Sequence, residues 1–275
     1  MKLLTLNTHS LVEENYEEKL NEFVNAICCE KPDIIALQEV NQTCCKAPVP
    51  ESELVGFCPC DTSTVIREDN HVYNAVRKPK ERGLHYYWTW LGMKIGYGKY
   101  DEGMAFMSLS PITETNVLLV SKVNDYNNWK TRKIIGIRTE TAPKEWFYSV
   151  HYGWWNDEDE PFQSQWETTA SHMKQHETVW LMGDFNSPAE VRGEGYDMIK
   201  AAGWHDSYLQ AAQKDSGITV GKVIDGWREK ISSTDGMRID QIWCSKKTVV
   251  ESSRVFFNGC NHGIVSDHYG VMIEI

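Results

Sequence analysis

The chain has 275 residues, of which 41% are apolar and 24% charged, a mix that excludes collagen, coiled coil and a disordered chain. Its 28 basic side chains face 39 acidic ones, a net charge of −11, the reverse of the balance in proteins that live on phosphate backbones. No apolar run approaches the ~20 residues of a bilayer span. Met1 to Leu4 starts like a leader, but Asn7, His9, Glu13 and Glu14 interrupt it before an apolar core develops. The expectation is a cytoplasmic protein with no membrane partner, for which nucleic acid is a poor fit. The cysteines include vicinal Cys28-Cys29 and Cys44-Cys45 and the tight Cys58-Pro59-Cys60. None has zinc-finger spacing, so reduced thiols are expected.

Lys2 to Leu6 reads as a buried strand. Leu20, Phe23, Val24 and Ile27 then recur at helical spacing, and the helix should stop before Pro32. Asp33 to Leu37 is a second buried strand, so the chain opens strand, helix, strand. Residues 41 to 98 are rich in Cys, Pro, Gly and aromatics and read as long loops with room for one helix. Strand signals return at Met104 to Leu109, Val117 to Val120, Ile134 to Arg138 and Trp146 to Tyr152. A helix is expected over 162 to 176, where the acidic run 157 to 160 before Pro161 would complement the positive end of the helix dipole. His172 and His176, four apart, read as a solvated helix face. Val179 to Met182 is another strand, and Tyr196 to Ala202 a helix ending at Gly203. Ile239 to Cys244, Val255 to Phe257 and Tyr269 to Ile275 close the chain as strands. No repeat or linker interrupts it, so one domain over 1 to 275 is expected.

The 11 tryptophans are a high count. Most belong in a core, but Trp88, Trp90, Trp154, Trp155 and Trp227 stand in loop-like company, where they are candidates for stacking on a flat ligand.

Polar residues gather at the ends of apolar strands: Asn7, Glu39, His151, Asp184, Asn186 and Asp240, with Asp267-His268 just before the last strand. Each alone reads as a turn former, a solvated end or a satisfied core histidine. Together they supply carboxylate and amide oxygens suited to Mg²⁺ or Mn²⁺, and a histidine near a carboxylate to steady phosphoryl charge. No GxSxG-type nucleophile motif is present, so direct attack by water is the economical chemistry.

The strings Leu4-Thr5-Leu6-Asn7, Ala36-Leu37-Gln38-Glu39-Val40, Met182-Gly183-Asp184-Phe185-Asn186, Arg238-Ile239-Asp240-Gln241-Ile242 and Ser266-Asp267-His268 resemble, in order, the motif set of the endonuclease/exonuclease/phosphatase superfamily. Glu102-Gly103-Met104-Ala105-Phe106 resembles its central strand. The resemblance implies an α/β (α+β) four-layered sandwich, two mixed β-sheets flanked by helices. It further implies Glu39 as principal Mg²⁺ ligand, supported by Asn7, with Asp267 as a further metal-side carboxylate. Asp184 would position the attacking water, Asn186 hold phosphate, Asp240 orient the phosphate-binding His268, and His151 stand near the leaving group. His9 occupies the place where some abasic-site nucleases carry Asp, which puts a second metal position of that kind in doubt.

The superfamily's substrates range from DNA to small monoesters, so the motifs do not fix the substrate. The segments His151-Tyr152-Gly153-Trp154-Trp155 and Val223-Ile224-Asp225-Gly226-Trp227-Arg228 resemble the Firmicute branch that includes maltose 6'-phosphate phosphatase. With the acidic charge and the aromatic loops, the expectation is a Mg²⁺-dependent phosphatase of a small monoester such as a sugar phosphate, with Trp154, Trp155, Trp227 and Arg192 meeting substrate. A Mg²⁺-dependent nuclease acting on DNA or RNA is the alternative, and a non-catalytic binding scaffold a third reading.

Overall fold

A computed structural model of the chain describes residues 1–221 and 236–275. The elements run β1 (Lys2–Asn7), α1 (Tyr16–Glu30), β2 (Ile34–Thr43), α2 (His71–Glu81), β3 (Tyr87–Gly96), β4 (Tyr100–Ser108), β5 (Ile112–Leu119), β6 (Lys133–Thr139) and β7 (Ala142–His151). They continue α3 (Phe162–Met173), β8 (Thr178–Asp184), α4 (Gly195–Ala201), β9 (His205–Asp206), α5 (Ser207–Gln210), β10 (Ala211–Lys214), β11 (Asp240–Cys244), β12 (Val250–Phe256) and β13 (Gly270–Glu274). One sheet has seven strands in the order β10-β12-β13-β1-β2-β4-β3, and the other six in the order β5-β6-β7-β8-β11-β9. Both are mixed: β1 pairs parallel with β2 and antiparallel with β13, and β8 pairs parallel with β7 and antiparallel with β11.

Period-2 alternation builds the layers. On β1 and β2, Leu4, Leu6, Ile35 and Leu37 pack outward on Leu20, Phe23, Val24 and Ile27 of α1 and Val72 of α2. Their neighbours Leu3, Ile34 and Ala36 face the other way, against Ile135, Phe147, Trp180, Met182 and Ile242 of the second sheet. That sheet's outer face carries Val150, Val179 and Leu181, covered by Phe162, Trp166 and Met173 of α3 and Tyr196 of α4. The result is helices, sheet, sheet, helices, the four-layered sandwich expected from the motifs. Each such fully buried side chain contributes about 1.5–3 kcal/mol relative to exposure.

The inter-sheet faces change character along their length. Leu3 leads to Thr5 and Asn7, Ala36 to Gln38, Phe147 to Ser149 and His151, and Met182 to Asp184, while Ile242 is preceded by Asp240. Each strand is therefore apolar at one end of the interface and polar at the other. The polar ends meet, and a buried seam joins the sheets beneath them: Gln38 Nε2 donates to Ser149 Oγ at 2.8 Å and Ser149 Oγ to Leu37 O at 3.3 Å.

Local expectations are corrected at three places. Residues 87 to 96 form β3 instead of loop. Its aromatic and β-branched run suits a half-buried pleat, and Trp88 and Trp90 are core residues, 0% and 2% exposed. Helix α3 ends at Met173, so His176 is not on it, and His176 packs on Trp146 with Nε2 3.2 Å from Tyr148 Oη. The acidic run does not occupy the first turn of α3. Asp157 and Asp159 instead grip Lys130 at 2.8 and 2.7 Å, and Glu160 accepts the backbone N–H groups of Lys122 and Val123 at 2.9 and 2.7 Å. Among the described residues no helix is long and apolar enough to cross a membrane, and all eight cysteines are free thiols. Trp227 and its resembling segment lie outside the described residues.

Candidate active site

The polar ends of β1, β2, β7, β8 and β11 converge on one cleft of about 260 Å³ lined by Glu39, His151, Asp184, Asn186 and His268. A larger groove, about 530 Å³, runs along β10 and β12. Its lining contains none of the strand-end residues, so the smaller cleft is the candidate site. Alternation alone would turn Glu39 away from the cleft, since it follows Gln38 on β2. The strand is irregular between Leu37 and Val40, and Glu39 adopts φ 51, which re-aims its side chain.

Asn7 Nδ2 donates to Glu39 Oε1 at 2.9 Å and to Asp184 Oδ2 at 3.3 Å, tying the two sheets' carboxylates together. The Asn186 backbone N–H donates to Asp184 Oδ1 at 2.8 Å, and the Asn186 side-chain amide donates to Tyr152 O at 2.9 Å. His151 Nε2 lies 3.6 Å from Asp184 Oδ2 and 3.9 Å from Glu39 Oε1. His268 Nδ1 is 2.9 Å from Asp240 Oδ2, and the Asp240 backbone N–H is held by Thr219 Oγ1 at 3.1 Å. Ligand atoms of Asp184, Asp240 and His268 all lie within 4.8 Å of one another.

Burial sets the electrostatics. It raises the Asp184 carboxyl to about 7, with the charges of Asp240 and Glu39 pushing the same way and His268 opposing. Burial works against a charged His268, but the charge and hydrogen bond of Asp240 outweigh it and lift the imidazole to about 10. His151 is driven the other way, well below its ordinary value, by burial and by the charges of Arg132 and Lys94. One histidine is held charged and the other neutral. Burial, then the charge of Glu102, raises the Glu39 carboxyl.

Asp267 sits beside this group, outside the cleft lining. Its Oδ1 is 3.7 Å from His9 Nδ1, which is itself 2.6 Å from Glu13 Oε1. Trp154 lines the cleft, but Trp155 does not: it packs beside Phe162 over α3, with ring centroids 6.3 Å apart. Arg192 is also outside the lining, ion-paired to Asp197 and lying over the Tyr196 ring. The cleft's cations are instead Lys94 and Arg132, and its further aromatics are Tyr97 and Trp129. Sequence reading passed over these four. Lys94 lay in a stretch read as loop, and Arg132 and Trp129 in a connection with no motif; the one signal was the aromatic, β-branched run of β3.

The sequence model of the Endonuclease/Exonuclease/phosphatase family matches residues 4–268. The chain belongs to this family. An endonuclease/exonuclease/phosphatase family protein from Leptotrichia buccalis C-1013-b is 32% identical, with TM-score 0.86, covering 100% of this chain and 99% of its own. A mannosyl-6-phosphatase from Bacteroides thetaiotaomicron VPI-5482 (15% identity, TM-score 0.67, 100% and 98% covered) shares the fold. So does a 3' phosphatase from Neisseria bound to product DNA hairpin (19%, TM-score 0.63, 100% and 99%). No curated protein matches the sequence. As a member of the endonuclease/exonuclease/phosphatase family, the protein is a phosphoesterase.

Proposed function

We propose that this phosphoesterase is a Mg²⁺-dependent phosphatase, one domain over residues 1 to 275, that hydrolyses a small phosphate monoester, a sugar phosphate of the maltose 6'-phosphate kind. The observation that carries the substrate class is the cleft mouth. Trp129 and Trp154 pair with ring centroids 5.7 Å apart, and Tyr97 adds a third aromatic face. Such faces suit a sugar ring and wall off one side of the phosphate against a long chain. The mannosyl-6-phosphatase with the same fold is in keeping with this reading. The nuclease alternative draws on the DNA-bound 3' phosphatase, but the −11 charge weighs against it.

The donor set fits a hard divalent cation. Carboxylates of Glu39 and Asp184 meet at the Asn7 amide, and Glu39, Glu102 and Asp184 share the cleft lining, a set of hard oxygen donors. Glu39 and Asn7 would hold the ion, with Asp267 beside them, and the ion would polarise a phosphoryl oxygen and neutralise developing charge. Asp184, oriented by Asn186, takes a proton from water as its oxygen attacks phosphorus, and the P–O ester bond breaks to an alkoxide that takes a proton from solvent and departs as the alcohol. His268, kept protonated by Asp240, donates a hydrogen bond to a phosphoryl oxygen as charge builds. Neutral His151 stands on the leaving-group side.

The test is a panel of sugar phosphates, nucleotides and supercoiled plasmid, incubated with purified protein and Mg²⁺ and scored for phosphate release and nicking. Phosphate release from sugar phosphates, abolished by chelation and restored by Mg²⁺ or Mn²⁺, is expected, and Glu39→Gln should raise the metal concentration required. Nicking without phosphate release from any sugar phosphate would move the protein to the nuclease reading. Full activity after exhaustive chelation would remove the metal.

A further inference from the structure

Lys94 and Arg132 stand apart from the family motifs, yet both line the reacting cleft with His151, Asn186 and His268. Lys94 is 7% exposed and so is Arg132. Burying two cations side by side is costly unless anions face them. Both are anchored on a single oxygen: Lys94 Nζ donates to Trp129 O at 3.0 Å, and Arg132 Nη1 donates to the same carbonyl at 3.1 Å. Those two bonds hold the charges close together. The ion pair they have among the described residues is Lys94 with Glu102, at 3.1 Å. An ammonium has three donors and a guanidinium five, so donors remain on both. Arg132 Nε is buried without a hydrogen-bond partner among the described residues. The carboxylates of Glu102 and Glu39 share the cleft lining with both cations, and the fold thus maintains a pair of cations, with donors to spare and fixed before substrate arrives, in the wall of the candidate cleft.

We infer that Lys94 and Arg132 form the anion subsite that makes this enzyme select the dianionic phosphate of a monoester over the monoanionic phosphate of a diester. The inference rests on the phosphatase reading above and supplies its missing specificity element. A phosphate monoester has a second ionisation near pH 6, so at neutral pH it brings close to two negative charges, where a diester brings one. Fixed cations in a water-poor wall gain more from the second charge than mobile ions in solvent do. The planar Arg132 fork suits two phosphoryl oxygens at once, and Lys94 acts as a point charge.

The experiment compares p-nitrophenyl phosphate with bis(p-nitrophenyl) phosphate, using the full-length protein with Mg²⁺, for wild type, Lys94→Met, Arg132→Met and the charge-keeping Arg132→Lys. Calorimetric titration with inorganic phosphate provides a readout independent of turnover. Each Met variant is expected to lose about 100-fold in kcat/KM for the monoester and less than about threefold for the diester. Phosphate binding should weaken by about tenfold or more, and Arg132→Lys should recover much of the monoester preference. Equal losses on both esters, or unchanged phosphate affinity, would overturn the subsite. Should Arg132→Met fail to fold, Lys94→Met and Arg132→Lys carry the comparison, and an unchanged ester preference in Lys94→Met would be decisive against the proposal. A wild type that releases no phosphate from any monoester would sink the phosphatase reading. The phosphate titrations would still decide whether these two cations bind the anion.

Discussion

Glu39 and Asn186 both hold left-handed backbone, at φ 51 and 46, a conformation kept only where surrounding structure over-determines it. Between them lies Asp184, whose buried carboxyl is raised to about 7. A neutral amide of the same shape avoids burying that charge. Asp184→Asn should therefore cost about 100-fold or more in kcat, while the urea midpoint stays level or rises. His268→Ala should lose turnover to a similar degree by removing a hydrogen bond to the phosphoryl group. Near wild-type turnover in either variant would refute the assigned roles.

A second histidine reports on stability. His71, the first residue of α2, is 5% exposed, and burial lowers its pKa from 6.5 to about 4. The N-terminus of a helix is also a poor place for a cation. Because the folded pKa lies below the unfolded one, the unfolded chain takes up the proton first. Stability is complete above pH 6.5 and declines as pH falls toward 4, by about 3 kcal/mol from this group. His71→Phe, beside Phe23 and Tyr16, should flatten that part of the urea-midpoint profile. Parallel profiles for wild type and variant would contradict it.

Among the elements, the two connections that flank the cleft matter most. The one before β6 carries Trp129, and the one before α3 carries Trp154. Lys130 locks them together through Asp157 and Asp159, and Glu160 holds the chain at Lys122 and Val123. The acidic run therefore shapes the aromatic wall. Lys130→Ala should raise KM for the proposed sugar phosphate several-fold with kcat little changed, since a wall contact is made equally in ground and transition states. Trp129→Ala should act in the same direction, more strongly. A fall in kcat at unchanged KM would place these residues in the chemistry itself.

For the whole molecule, the close approach of β7, β8 and β2 positions the site. Gly183 has φ 149, and a Cβ there would lie 2.0 Å from Val150 O on β7 and 3.0 Å from Gln38 Nε2 on the opposite sheet. No rotamer relieves a clash with backbone. Gly183→Ala should destabilise the fold by about 3 kcal/mol, read as a drop of roughly 10 °C in Tm by circular dichroism. An unchanged Tm would mean that the sheets are not held as closely as this.

The sequence by itself determined the framework. Short apolar runs on β1, β2 and β8 and helical spacing on α1 are consequences of which faces must be dry, so they are written locally, residue by residue. The strand-end residues Asn7, Asp184 and Asp240 were legible for the same reason: polarity at the end of an apolar run breaks a local pattern. Position in space is not local. Trp88 and Trp155 had the same loop-like neighbours as Trp154, yet β3 and α3 bury or cover the first two and leave only Trp154 at the cleft. Lys94 lies on β3 and Arg132 in the connection before β6, and no spacing relates them. They meet because β3 and the loop before β6 pack against one carbonyl, a juxtaposition that exists only once both sheets have closed.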